Sequence, residues 1–152
     1  YRDGIKTGDW KEYFIINEGS LALKQAGSYQ FGKKEGVWVH YKKEDNSIIE
    51  SNITKSRKVS SGSYSQDIKT GEWTECPDID FGSRFYGKGL YKDNKKNGEW
   101  NYVAPQENPT ISGSFSEGKP SGIWTVRYNK KTYQGSLEEL RKKVTKLNEY
   151  KF

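Results

Sequence analysis

One ten-residue frame recurs five times in this chain, and its fixed positions leave room for little except a β-hairpin. The segments are YRDGIKTGDW (1–10), YQFGKKEGVW (29–38), YSQDIKTGEW (64–73), YKDNKKNGEW (91–100) and FSEGKPSGIW (115–124). An aromatic stands nine residues before each Trp: Tyr1, Tyr29, Tyr64, Tyr91 and Phe115. Gly stands two before each Trp, at Gly8, Gly36, Gly71, Gly98 and Gly122. Four copies also carry Gly two before the aromatic, at Gly27, Gly62, Gly89 and Gly113. The third residue after the aromatic is Gly4, Gly32, Asp67, Asn94 or Gly118. These three residue types tolerate positive φ, so the slot specifies a left-handed turn and not a side-chain function. The fifth is Lys6, Lys34, Lys69, Lys96 or Pro120, which suits an exposed turn with solvated lysines. Strand, tight turn, strand is the reading of each copy.

The nine-residue spacing sets where the rings meet. With an even loop centred between Lys33 and Lys34, Tyr29 lies directly opposite Trp38, and a facing pair contributes about 0.2–1 kcal/mol. An odd loop with a bulge offsets the pair by one. Either way, repetition lays a row of rings along one sheet face. Return turns fall at Asn17-Glu18-Gly19, at Glu44-Asp45-Asn46 and near Pro105 and Pro109. The linking intervals vary in length while the frame does not, as insertions do in repeat arrays. The longest, 42–61, has room for an enlarged hairpin.

From Ser136 the pattern changes. Leu137, Leu140, Val144 and Leu147 form a helical stripe, and Ser136 with Glu139 matches a capping box. Acidic residues come first and basic ones later, complementing the helix dipole. A helix that covers an open end of the sheet is expected, with docking of a partner as its alternative use.

Composition decides whether such an array can fold. Only 32% of the 152 residues are hydrophobic and 30% are charged, a balance that leans towards disorder. Five Trp and eleven Tyr oppose it, because each ring buries on the order of 150–250 Å². The expectation is a folded chain with a thin, aromatic core. The net charge of +6 raises the case for an anionic membrane or nucleic acid, but the lysines form no long block. The single Cys76 makes neither an internal disulfide nor a zinc site. No stretch approaches the ~20 apolar residues of a membrane-crossing helix. The chain opens part-way through a repeat at Tyr1, which suggests that an N-terminal piece precedes it, a signal or anchor segment being one candidate; cell envelope and cytoplasm both stay open as its compartment.

GSYQFGKKEGVWVHY (27–41) resembles a bacterial MORN-type repeat, in the variant found in YwqK-family antitoxins. The resemblance covers about residues 1–135 and stops at the C-terminal helix. It implies an all-β fold: an elongated antiparallel meander of five MORN-like β-hairpin repeats with a C-terminal capping α-helix. The array is expected over 1–135 and the helix and tail over 136–152. Implied roles are scaffolding, protein association, antitoxin-like binding of a toxin and contact with phospholipid. The frame's last Tyr is kept at Tyr13 and Tyr41 and replaced by Cys76, Val103 and Arg127.

Catalytic chemistry finds little support. His40 is the only histidine, and no nucleophile stands near it in sequence. Asp9, Glu72 and Glu99 share a slot that also holds Val37 and Ile123, so a repeat surface explains them better than a carboxylate pair. No Gly run leads from a strand into a helix, and no cluster has metal-ligand spacing. The chain is therefore read as a non-enzymatic protein–protein interaction or scaffold module without a cofactor. A protein partner is expected, with a peripheral membrane adaptor as the alternative; nucleic acid is disfavoured and no small-molecule substrate is evident. Recognition is placed in the variable loops 42–61 and 77–88. The candidate binding residues are Phe81, Arg84, Phe85 and Tyr86, types enriched at interface hot spots, with extension of the core as their competing role.

Overall fold

The computed structural model of the protein describes residues 2–17, 20–43, 56–76, 85–104 and 109–149. Residues 18–19 and 44–46 of the return turns, the stretch 105–108, and most of the loops 42–61 and 77–88, lie outside them. Among the described residues ten strands are formed: β1 (Gly8–Asn17), β2 (Ser20–Gln30), β3 (Lys33–Lys43), β4 (Ser56–Ser65), β5 (Ile68–Glu75), β6 (Tyr86–Lys92), β7 (Lys95–Val103), β8 (Thr110–Ser116), β9 (Lys119–Tyr128) and β10 (Lys131–Gly135). One helix follows, α1 (Leu137–Glu149). The strand order is the chain order, an antiparallel meander as the frame implies. The chain divides into two compact units, Tyr1–Trp73 and Thr74–Phe152.

Each hairpin turns on two residues with positive φ, the signature of a type I′ turn. They are Phe31 and Gly32 (50° and 79°), Gln66 and Asp67 (52° and 69°), Asp93 and Asn94 (51° and 63°), and Glu117 and Gly118 (50° and 80°). The left-handed slot is therefore where the sequence places it. The loop centre is not. It lies between Phe31 and Gly32, so Tyr29 pairs with Lys34 and not with Trp38. The displacement comes from a bulge. Between the pairs Ser28↔Glu35 and Ala26↔Val39, Gly27 alone faces Gly36, Val37 and Trp38. The same step recurs between Gly89↔Trp100 and Leu90↔Asn97, and between Ser112↔Thr125 and Ser114↔Ser121. Gly36, Gly98 and Gly122, each with φ near 67°, make the extra bend.

Successive turns are tied together through the backbone. Gly32 N–H donates to the Lys6 carbonyl at 2.9 Å and Asp67 N–H to that of Lys34 at 3.1 Å. In the second unit Gly118 N–H donates to the Lys96 carbonyl at 2.9 Å. The hairpins are thus held in register at their tips as well as along their strands.

Phe31 departs from its counterparts. Asp3, Gln66, Asp93 and Glu117 occupy the same turn slot, whereas Phe31 puts an aromatic there at φ 50° with 80% of its surface exposed. A bulky residue in this region bears backbone strain that Asn tolerates better. Phe31→Asn is expected to raise stability by about 1 kcal/mol, read from a urea midpoint. A lowered midpoint would mean that the ring is held by packing.

The second unit ends on a remnant of the frame. β10 pairs with β9 through Gly135↔Trp124, as Gly62 pairs with Trp38 and Gly113 with Trp100. Gly135-Ser136-Leu137 therefore continues the Gly-x-aromatic pattern with Leu in the aromatic slot, and there the chain turns helical. Ser136 and Glu139 form the expected capping box: Ser136 N–H donates to Glu139 Oε2 at 2.8 Å, and Glu139 N–H donates to Ser136 Oγ at 3.3 Å. α1 packs on β9 and β10 and buries Leu137 and Leu140. The side chains of Val144 and Leu147 lie outside the described residues.

Candidate interaction surface

The frame's aromatics converge on one face of the sheet. Trp38, Trp73, Trp100 and Trp124 are each 0% exposed. In the first unit the rings follow one another edge to face: Trp10–Tyr29 at 6.0 Å, Tyr29–Trp38 at 4.9 Å, Trp38–Tyr64 at 6.3 Å and Tyr64–Trp73 at 5.2 Å. In the second unit Tyr91, Trp100, Phe115 and Trp124 do the same at 5.5, 6.0 and 5.3 Å. Aromatic pairs prefer this T-shaped geometry because the positive edge of one ring meets the negative face of the next. The row exists although Tyr29 and Trp38 are not a facing pair, because the bulge swings Trp38 back towards its own hairpin.

The Gly before the aromatic makes space for that swing. A Cβ built on Gly27 would lie 2.3 Å from the Trp38 ring, and Gly62, Gly89 and Gly113 stand likewise against Trp73, Trp100 and Trp124. Each indole lies over bare backbone. Three of them donate their N–H to the next carbonyl along that strand: Trp38 to Ser28 at 3.1 Å, Trp73 to Ser63 at 3.2 Å and Trp100 to Leu90 at 3.1 Å.

The frame lysines cover the other side of the rings, which corrects the expectation of solvated turn lysines. Lys6 Nζ lies 4.9 Å from the centre of Trp10, Lys34 4.4 Å from Trp38, Lys69 4.1 Å from Trp73 and Lys96 4.3 Å from Trp100. An ammonium over an indole face is attracted by the ring quadrupole, while its stem shields the ring from water. No local signal in the sequence separates a lysine folded onto a ring from one extended into solvent. Its recurrence four residues before Trp in four of the five copies was the available clue.

Two residues past each Trp the units differ. The first unit places Glu12, Gln25, His40 and Ser60 in one cross-strand row through the pairs Glu12↔Gln25, Gln25↔His40 and His40↔Ser60. The second places Tyr102, Ile111, Val126 and Tyr133 in the corresponding row, and α1 packs on the strands that end it. One row is polar, the other apolar.

Within the polar row Glu12 Oε1 accepts from Lys6 Nζ at 2.8 Å and from Tyr29 OH at 3.0 Å, and its other oxygen accepts from Gln25. The Lys6 ammonium holds the Glu12 carboxyl down at about 2, against an opposing effect of burial and with help from Gln25 and Tyr29. Its folded pKa is thus below the ordinary 4.5. The stability it contributes is complete above 4.5 and is lost as pH falls from there towards 2. Urea midpoints of Glu12→Gln should consequently fall less steeply than those of the parent across that window; equal slopes would place the acid sensitivity elsewhere.

His40 lies between Trp38 and Trp73, its ring centre 6.4 and 6.1 Å from theirs and tilted by 26° to each. Tyr64 OH stands 3.3 Å from His40 Nε2. Cys76 is buried and free. No three His, Cys, Asp or Glu side chains come together as metal ligands among the described residues.

The four loop residues singled out by sequence are divided. Phe85 is 3% exposed and belongs to the core of the second unit, whereas Tyr86 opens β6 and is 49% exposed. Phe81 and Arg84 lie outside the described residues. The polar row and the lysine-capped rings were not anticipated as a surface. The residues of the polar row are split among four strands and become adjacent only once the register is known. Compared with known proteins, the chain matches no family model and no curated sequence.

Proposed function

We propose that the chain is a non-enzymatic protein-interaction module built from MORN-type repeats. The observation that carries this reading is the complete burial of Trp38, Trp73 and Trp100, each beneath the lysine of its own repeat. Rings at 0% exposure are no stacking platform for a sugar polymer, so the fixed residues serve the scaffold and recognition falls to what varies. The varying parts are the polar row of the first unit and the loop that ends at Tyr86. Folding Lys6, Lys34, Lys69 and Lys96 onto aromatic faces also turns four cations away from a lipid headgroup layer, which weighs against the membrane-adaptor reading. Binding of a toxin, as in an antitoxin, is a narrower form of the same proposal.

Phe85 is unsuitable for a binding test because its truncation would damage the core. The informative variant is Arg84→Ala with Tyr86→Ala. A partner identified by co-purification should bind the parent chain in calorimetry and lose at least about tenfold in affinity with the double variant, about 1.4 kcal/mol. Unchanged affinity would remove this loop from the interface, and the absence of any partner that binds the isolated chain would defeat the reading.

A further inference from the structure

A pairing recurs between the frame Lys and the residue six positions later. Lys6 donates to Glu12 at 2.8 Å. Lys96 donates to Tyr102 OH at 3.1 Å and reaches Glu75 at 3.6 Å. The second repeat places His40 at that position, so an imidazole stands where the first repeat has a carboxylate, and Lys34 and His40 both lie against Trp38 and Tyr64.

Lys34 is correspondingly short of counter-charge. Its Nζ lies 4.4 and 5.0 Å from the ring centres of Trp38 and Tyr64 and donates to Gln25 Oε1 at 2.8 Å. Among the described residues no carboxylate forms an ion pair with it. Glu12 is held by Lys6, Gln25 and Tyr29, and the Asp67 carboxylate accepts the main-chain N–H of Lys34 at 2.7 Å. Burial lowers the pKa of Lys34, and the attraction of Glu12 and Asp67, opposed by Lys24 and Lys6, offsets it only in part.

We propose that Lys34 and His40 form an anion site on the first unit that accepts a carboxylate side chain from an acidic stretch of a partner protein. Lys34 supplies a fixed charge and His40 supplies the hydrogen-bonding edge of an imidazole. Trp38 and Trp73 hold the imidazole from both sides, and Tyr64 OH orients its Nε2 edge. The row continues through Gln25 and Ser60, which offer hydrogen bonds to the same segment. A charge-assisted contact at a partly desolvated ammonium is stronger than one in open water. The inference rests on the protein-interaction reading and gives it a chemistry.

His40 is the only histidine, so its ring protons give an unambiguous NMR signal. The probe is a synthetic peptide of about ten residues alternating Glu and Ser, titrated into the intact chain at fixed ionic strength. The His40 signals should shift and saturate. A Gln-for-Glu peptide should leave them in place, and sodium acetate at equal carboxylate concentration should act at least about tenfold more weakly. Lys34→Met keeps a hydrocarbon stem over Trp38 and should weaken the peptide at least about tenfold, whereas Lys33→Met, at the exposed turn, should change it less than about twofold. Should Lys34→Met fail to fold, His40→Gln followed through the indole N–H signals should show the same loss. Static His40 signals, an equal response to the Gln peptide or to acetate, or an unchanged affinity in the variant would overturn the site. A natural partner that binds Lys34→Met normally yet fails with Arg84→Ala/Tyr86→Ala would sink the anion site while leaving the interaction reading intact.

Discussion

Trp100→Ala is expected to remove roughly 3–5 kcal/mol of stability, the range for truncating a fully buried large side chain. The indole is 0% exposed and touches four partners at once. Tyr91, Tyr102 and Phe115 lie 5.5, 5.9 and 6.0 Å from its centre, and Lys96 Nζ lies 4.3 Å from it. Truncation leaves a cavity, strips the cation of its ring and deprives the Leu90 carbonyl of the indole N–H. The hairpin lacks the aliphatic bulk to collapse into the space. Against a total of about 5–15 kcal/mol for a typical domain, the loss takes a large share. Urea unfolding followed by circular dichroism measures it. A cost under about 1 kcal/mol would show that the rings are not the core of the second unit.

Gly62→Ala tests the same design from the opposite side. The added Cβ would stand 2.2 Å from the Trp73 ring, which is fully buried and pinned by hydrogen bonds to Ser63 and Thr70. Overpacking a tight core costs about 1–3 kcal/mol, and a rigid indole over backbone places this change at the upper end. Gly71→Ala meets no neighbour within 4 Å and bears only the strain of its φ of 67°, so it should cost less. Combining Gly62→Ala with Trp73→Leu removes the clash, and the double variant should be less destabilised than the sum of the singles. Additivity there would mean that Gly62 serves some purpose other than making room for the ring.

The turn slots were legible because backbone sterics act within one residue: Asp67 and Asn94 can replace Gly only where φ is positive. The helix was legible because Ser136 and Glu139 carry their own capping geometry. The loop centre was misplaced because the bulge opposite Gly27 adds two residues to β3, and no single residue announces a register change. The function of Gly27, Gly62, Gly89 and Gly113 was hidden for a related reason, since each faces a ring that lies eleven residues ahead. Lys34 and His40 were both visible as residues. Their convergence on Trp38 and Tyr64 depends on the bulge, and so it could not be read before the fold.

The way each Trp is housed bears on where this protein can be divided. Trp38 lies over Gly27 in its own hairpin, yet it is paired in register with Gly62 of the following strand, and its flanking rings, Tyr29 and Tyr64, come from two repeats. The repeat written in the sequence is therefore not the unit that closes a core. Around Trp38 and around Trp100 that unit spans three strands. A cut between two copies of the frame leaves the last Trp without its second wall, and a transplanted hairpin would carry half of two cores and all of none. Modules exchanged between arrays of this kind need to be cut after the Gly-x-aromatic of the next copy, as the chain itself does where Gly135-Ser136-Leu137 hands over to the helix.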